Sequence, residues 1–186
     1  YSHGRAAGMW QFIPGTGKRF GMQQNWWYDG RRDVVASTQG ALDYLTYLNE
    51  MFDGNWLHAL AAYNSGEGRV QRAIKANKRA GKPTDFWNLN LPKETRAYVP
   101  KLLALADILK NKDEYAYAWP EVENVAVIEV VDIGSQVDLA FAAELAGMSL
   151  KELHGLNPGF NRWATSPEGP HRLILPLDKA AAFSQA

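Results

Sequence analysis

Apolar residues recur at helical spacing through the first 112 positions of this chain. Ala41, Leu42, Leu45, Leu48 and Phe52 fall at intervals of three and four, the repeat that keeps side chains on one face of a helix. Asp33 stands ahead of them as a candidate N-cap, able to accept from the unpaired amides of the first turn, and Gly54 breaks the pattern. A second apolar stretch, 56–63, runs into Asn64-Ser65-Gly66, where glycine permits a left-handed stop. A third, 70–78, keeps Arg and Lys on its exposed side and ends at Gly81. Pro92 opens a fourth, carrying Glu94, Tyr98, Leu102, Leu105 and Leu109. Pro100 has no backbone N–H, so a kink or break is expected inside it.

The pattern changes after Lys112-Asp113-Glu114. Residues 125–131, Val-Ala-Val-Ile-Glu-Val-Val, are β-branched and strand-like. A short amphipathic helix is expected over 136–146 and a second, capped by Ser149, over 149–155. Asn157-Pro158-Gly159 is turn chemistry, and Arg172-Leu173-Ile174-Leu175 reads as a closing strand. The pattern thus predicts a mainly α domain over 1–112, a linker over 113–122, and a small β-α-α-β module over 123–186.

Composition narrows the classes. The 186 residues are 46% hydrophobic and 22% charged, an ordinary globular balance. Twenty basic and twenty acidic side chains cancel, so no phosphate-seeking surface is expected and nucleic acid is excluded as a partner. Cysteine is absent, which removes disulfides and thiolate metal sites. No apolar run approaches the roughly twenty residues of a membrane-spanning helix. Seven Trp stand out, since flat apolar rings suit sugar faces as well as cores. The chain opens on Tyr1-Ser2-His3-Gly4, within a motif described below, and is expected to be a fragment of something longer.

Several chemistries fail on their residues. Pro14-Gly15-Thr16-Gly17-Lys18 imitates a phosphate loop, but Phe12 occupies the place of the first Gly and Arg19 that of the magnesium-binding Ser or Thr. His3, His58, His154 and His171 are scattered, with no pair at metal-ligand spacing, and no Gly-x-Ser-x-Gly elbow occurs.

Three segments carry a positive signal. The first, Ser2-His3-Gly4-Arg5-Ala6-Ala7-Gly8-Met9-Trp10-Gln11-Phe12-Ile13-Pro14-Gly15-Thr16-Gly17, precedes Ala62-Tyr63-Asn64-Ser65-Gly66-Glu67-Gly68-Arg69-Val70, and Glu94-Thr95-Arg96-Ala97-Tyr98-Val99-Pro100-Lys101 follows. In this order they resemble the Gly-Leu-Met-Gln, Ala-Tyr-Asn-x-Gly and Glu-x-x-x-Tyr-Val signatures of lytic murein transglycosylases with a goose-lysozyme-like, soluble-transglycosylase (SLT) domain. The forms Trp-Gln and Tyr-Asn-Ser-Gly-Glu-Gly-Arg-Val are those of the membrane-bound D type. The resemblance implies a lysozyme-like domain lacking its N-terminal part.

Roles follow residue by residue. Gln11, with amide donors and an acceptor, can hold a sugar N-acetyl or hydroxyl group, or can satisfy nearby backbone. Met9 offers an adaptable apolar wall under a sugar ring, or plain packing. Tyr63 can direct its hydroxyl at the reacting sugar or the catalytic carboxyl. Asn64 is a substrate-site candidate that equally well organises its turn. Glu94 and Tyr98, one helical turn apart, share a face. The resemblance implies that they line the cleft floor and keep it ordered, with Gln11, Tyr63 and Tyr98 beside one open groove.

In this family the sole catalytic acid is a Glu in a Glu-Ser motif, and the resemblance places it upstream of Tyr1. The implied reaction uses no metal or cofactor. One Glu protonates the leaving oxygen of the MurNAc–GlcNAc β-1,4 bond, then deprotonates the C6 hydroxyl of the same muramoyl sugar. That hydroxyl attacks C1 and leaves a 1,6-anhydro ring, a departure from the two-carboxylate arrangement of most glycosidases. Glu67, expected at an exposed helix start where amides favour the ionised form, is an unsuitable acid. As a fragment, the chain is expected to be inactive. A hydrolytic goose-type muramidase and an inactive peptidoglycan-binding protein are the alternatives. The module at 123–186 more faintly resembles a LysM glycan-binding domain through Leu153-His154-Gly155-Leu156-Asn157-Pro158-Gly159. Asp132-Ile133-Gly134-Ser135-Gln136 departs from that family's Ser-Gly-Asp-Thr, leaving a bracing role equally open. The implied partner is the peptidoglycan glycan strand, in the periplasm. Membrane attachment is expected only through an N-terminal anchor absent here, and the missing N-terminal segment is itself a candidate partner.

Overall fold

The computed structural model describes residues 2, 4–115 and 120–185. The expectations placed on Tyr1, on His3, on the middle of the 113–122 linker and on Ala186 lie outside the described residues. In chain order the elements are α1 (Pro14–Arg19), α2 (Val34–Met51), α3 (Trp56–Ser65), α4 (Glu67–Arg79), α5 (Lys93–Lys110), β1 (Ile128–Asp132), α6 (Leu139–Leu145), α7 (Leu150–Leu156), β2 (Arg172–Pro176) and α8 (Leu177–Phe183). Short 3-10 turns lie at Phe86–Asn88 and Lys112–Glu114. The described residues are mostly helical, with one small antiparallel sheet.

Two compact units form. One joins Tyr1–Ala41 to Glu123–Ala186; the other is Leu42–Val122. The division into 1–112, a linker and 123–186 follows the change of pattern along the chain, and these packing units are cut differently. The reason is visible in the first unit: Tyr28 bridges Phe160, Asp29 N–H donates to the Gly159 carbonyl at 2.8 Å, and Asn161 N–H donates to the Trp27 carbonyl at 2.8 Å.

In the helical unit the sequence punctuation acts as expected at the ends. Asn55 accepts from His58 N–H at 3.1 Å to start α3, and Gly66, at φ 88°, ends it. Gly66 leads directly into α4, which begins at Glu67, three residues before its apolar pattern becomes visible. Of the kink or break expected at Pro100, a break does not occur: α5 is a single helix of 18 residues. Pro inside a helix costs about 3 kcal/mol, and the burial of Thr95 and Val99 on the preceding turn helps hold the helix together. Leu48, Ala59, Ala62, Val70 and Val99 are fully buried and form the core between these helices. Asn77 ties down the chain after α4, donating to the carbonyls of Pro83 at 2.7 Å and Asn88 at 3.0 Å.

In the mixed unit β1 pairs antiparallel with β2, Val130 opposite Ile174. The strand lies three residues later than the apolar run suggested: Val125 and Val127 are exposed outside it. Its partner brings Leu173 and Leu175 into a core with Leu139, Leu153, Tyr28 and Phe160. The helix expected from residue 136 begins only at Leu139. Gln136 and Val137 are held by Thr165 instead, at 2.8 and 2.9 Å, and Asp138 caps the helix by accepting from Ala140 and Phe141. Ser149 and Glu152 form a reciprocal capping box at the start of α7. Asp33 has two tasks. Its Oδ1 accepts from Ala36 N–H at 2.8 Å and starts α2. Its Oδ2 accepts from the Tyr28 hydroxyl at 2.7 Å and from Arg172 at 3.0 Å. Burial first, and the Asp33 charge second, push the Tyr28 hydroxyl far above its ordinary pKa, so it stays a donor.

Candidate functional site

The second and third motifs meet in the helical unit. Tyr63 and Asn64 occupy the last turn of α3, while Glu94, Thr95 and Tyr98 occupy the first turns of α5. Asn64 is the tie between the two helices. Its Oδ1 accepts from the Thr95 hydroxyl at 2.8 Å, and its Nδ2 donates to Glu94 Oε1 at 3.4 Å. Thr95 is only 1% exposed, so that hydroxyl has little recourse to water. These bonds support the organising side of the two readings of Asn64. Glu94 itself is exposed, and Tyr63, Asn64 and Tyr98 are half-buried.

Tyr63 is shaped by its neighbours. Its ring lies 5.4 Å from that of Tyr44, tilted by 37°. Burial, with a smaller contribution from Tyr98, pushes its hydroxyl up to about 12, so it remains protonated at neutral pH. Burial likewise raises Tyr98. Two protonated phenols and an amide therefore offer donors beside one exposed carboxylate. Tyr44, buried on α2, donates to Glu67 Oε2 at 3.1 Å. Glu67 is half-buried rather than at an exposed helix start, because the Tyr44 hydroxyl reaches it.

The first motif lies in the mixed unit; it is a loop as far as Ile13 and enters α1 at Pro14. Ala7 and Phe12 form an antiparallel bridge, and Gly8 and Gln11 within it both have left-handed backbones, φ 74° and 53°. A Cβ at Gly8 would stand 1.7 Å from the Arg31 carbonyl oxygen, so only glycine fits. Gln11 is exposed, and one of its two amide hydrogens folds back to the Gly8 carbonyl at 2.7 Å. Its remaining donor and its carbonyl are not used in that contact. Met9 is 73% exposed and packs into no core. Trp10 is fixed by an indole bond to the Thr38 hydroxyl at 2.9 Å.

Two supporting groups escaped the sequence reading. Arg31 pins the loop through the carbonyls of Arg5 at 2.7 Å and Phe12 at 3.1 Å. Asp29 holds it in a bidentate pair at 2.9 and 2.7 Å, both side chains being buried. The signal available was the run Asp29-Gly30-Arg31-Arg32-Asp33, charged residues at a density unusual for a loop that must be buried. Thr95, the other, sits inside the third motif but shows no chemistry until Asn64 is placed opposite it.

Residues 1–86 match the transglycosylase SLT domain family, and residues 127–186 match the LysM-like domain of lytic transglycosylase MltD. The chain thus carries a transglycosylase SLT domain of the lysozyme-like fold followed by a LysM-like module. Among curated proteins it is 49% identical over 179 residues to membrane-bound lytic murein transglycosylase D of Escherichia coli strain K12, covering 96% of this chain and 40% of the relative. The corresponding protein of Escherichia coli O6:H1 shows the same identity and coverage. An Alteromonas protein named for tributyltin chloride resistance is 40% identical over 139 residues, 75% of this chain and 65% of its own length. The chain thus spans about two fifths of the length of the transglycosylases it matches. The third motif lies beyond the matched SLT segment, which ends at residue 86. Among the described residues no helix is long and apolar enough to cross a membrane.

Proposed function

We propose that this chain is the substrate-facing part of a peptidoglycan lytic transglycosylase that cleaves the MurNAc–GlcNAc β-1,4 bond and leaves 1,6-anhydro-MurNAc ends. The observation that carries the reading is the joining of Tyr63 and Asn64 to Glu94, Thr95 and Tyr98 at one end of α3 and α5. A reaction that moves one proton out to a leaving oxygen and another in from a C6 hydroxyl needs donors held in place around the sugar. Protonated Tyr63 suits that task. Glu94 and Tyr98 line the floor of the site, Asn64 orders it, and Met9 and Gln11 contact the sugar.

None of the carboxylates in residues 1–186 is assigned as the acid. Glu94 is exposed, whereas a general acid for glycoside cleavage needs a pKa raised by burial among apolar groups. Glu67 already accepts from the Tyr44 hydroxyl, so its carboxylate is engaged within the helical unit. The proton is assigned to a Glu upstream of Tyr1, where the resemblance places it, and residues 1–186 alone are inactive in this proposal. The working location is the cell envelope, with the glycan strand as partner.

Product chemistry tests the reaction. A longer protein that includes the upstream Glu-Ser segment is incubated with purified sacculi, and the released muropeptides are treated with borohydride. Anhydro ends, which borohydride does not reduce, are expected. Reducible ends would replace the proposal with a hydrolytic muramidase, and binding without any release would leave a peptidoglycan-binding protein.

A further inference from the structure

Three of the seven tryptophans gather within the mixed unit, at a place the proposed chemistry does not use. Trp26 and Trp27 meet at 4.7 Å and 89°, Trp26 and Trp163 at 5.9 Å and 82°, and Trp27 and Trp163 at 5.4 Å and 64°. Rings packed edge to face brace one another without stacking their faces flat together. Yet Trp163 is 62% exposed and Trp26 53% exposed. A core cluster of this size hides its rings, so here the apolar surface has been kept open at a cost in burial.

The scaffold beneath the rings is fixed. Asn25 Oδ1 accepts from the backbone amides of Trp27 at 2.9 Å and Tyr28 at 2.7 Å, setting the turn that carries the pair. The Trp27 carbonyl accepts from Asn161 N–H at 2.8 Å, and the Trp163 carbonyl from Leu139 N–H at 2.7 Å. Arg162 lays its guanidinium 3.9 Å from the centre of the Trp26 ring, and Arg32 donates to the Asn161 side chain beside it. The patch therefore has flat apolar faces, the guanidinium donors of Arg162 and Arg32 beside them, and loops already in position. No carboxylate takes part in these contacts.

That combination fits a pyranose. The C–H faces of a β-linked sugar stack on an indole, while its hydroxyl and acetamido oxygens accept from such donors. We infer that Trp26, Trp27 and Trp163, with Arg162, form a glycan-binding platform for a β-1,4-linked N-acetylated saccharide, built jointly by the 25–33 and 157–166 segments. It does not draw on the expected sugar contacts at Met9, Gln11 and Tyr63. The inference rests on the peptidoglycan reading for its ligand class, but not on any bond being broken. It gives the LysM-like part of the chain a binding role made from tryptophans, in spite of the Asp132-Ile133-Gly134-Ser135-Gln136 departure.

The test is isothermal titration of residues 1–186 with β-1,4-linked N-acetylglucosamine tetramer, alongside co-sedimentation with peptide-free glycan strands. Trp163→Ala should weaken both by ten-fold or more, and Trp163→Phe should weaken them less. The exposed Trp87→Ala should leave them unchanged. Thermal melts show that each variant is folded, and Trp26→Ala replaces Trp163→Ala if that variant is not. Equal affinity for the folded Trp163→Ala or Trp26→Ala protein and the original would overturn the inference. So would retention on anionic lipid vesicles with none on glycan, which would make the patch a membrane contact. Because no cleavage is needed, a failed platform leaves the product analysis of the longer protein intact, and failed cleavage there leaves the titration interpretable.

Discussion

Thr95→Val removes one hydroxyl from a buried position and keeps the volume nearly constant. Thr95 is 1% exposed, and its hydroxyl is the donor that satisfies Asn64 Oδ1 at 2.8 Å. A neutral hydrogen bond contributes about 1 kcal/mol net, and a partner left unsatisfied away from water costs roughly 1–3 kcal/mol. Asn64 is half-buried, so the lower half of that range applies in place of the net value, about 1–2 kcal/mol. For a unit the size of Leu42–Val122, each kcal/mol moves the melting midpoint by roughly 4–8 °C, so a fall of about 4–16 °C is expected by circular dichroism. A functional readout accompanies it. The loss of the tie should let the end of α3 move relative to α5, and the turnover of sacculi by the longer protein should fall at a temperature where the variant is still folded. A midpoint within about 2 °C of the original, with turnover intact, would refute the claim that Asn64 and Thr95 order the site.

Other outcomes follow from single contacts. Tyr63→Phe in the longer protein keeps the ring against Tyr44 but removes the donor, and the rate should fall ten-fold or more, about 1.4 kcal/mol of barrier, with little change in melting. Full activity would leave the hydroxyl without a role. Gly8→Ala should disrupt the first motif, since the added carbon meets the Arg31 carbonyl at 1.7 Å on a left-handed backbone; a melt and sacculus binding identical to the original would contradict this. Asn157→Ala removes bonds to Leu153 and to both the N–H and the carbonyl of Ile174, all buried, and should cost about 2–4 kcal/mol in urea unfolding. Alkali gives a pH test. The folded state raises the Tyr63 pKa to about 12, so it holds its proton more tightly than the unfolded chain. Its contribution is fully present below about pH 10 and is lost between there and about 12. The urea midpoint should fall over that window, and less steeply in Tyr63→Phe.

What the sequence revealed was mostly punctuation. Asp33, Ser149, Gly66 and Gly81 are short-range signals, and each acts on the backbone within a few residues, so their effect is legible without a fold. Pro100 does not end its helix because its effect depends on whether the rest of the helix is held by packing, which Thr95 and Val99 supply. β1 is displaced because a β-branched run shows where a strand can form, while its partner at 172–176 decides where it does. α8 carries only Leu177, Ala180, Ala181, Ala182 and Phe183 as apolar signal, and docks on the small sheet's unit through Ala180. The motif residues could be named from the chain, but their supports could not. Arg31, Asp29 and Thr95 matter through partners that lie 19 to 31 positions away or in an adjacent turn, contacts that no local pattern encodes. The packing of residues 1–41 with 123–186 is likewise a long-range result, stitched by Asp33 to Arg172 and by the backbone of Trp27 and Asp29 to 159–161.

The central claim is that residues 1–186 hold and orient the glycan while the proton comes from a Glu outside them. Its most direct measurement is the rate of sacculus solubilisation by this chain against that of a longer protein carrying the upstream segment, at equal concentration and with both shown to be folded. Loss of a general acid lowers a rate by roughly a hundred- to ten-thousand-fold, and here one acid serves both steps, so a gap of at least a hundred-fold is the expected result. Comparable rates from the two proteins would contradict the account and return the proton to Glu67 or Glu94.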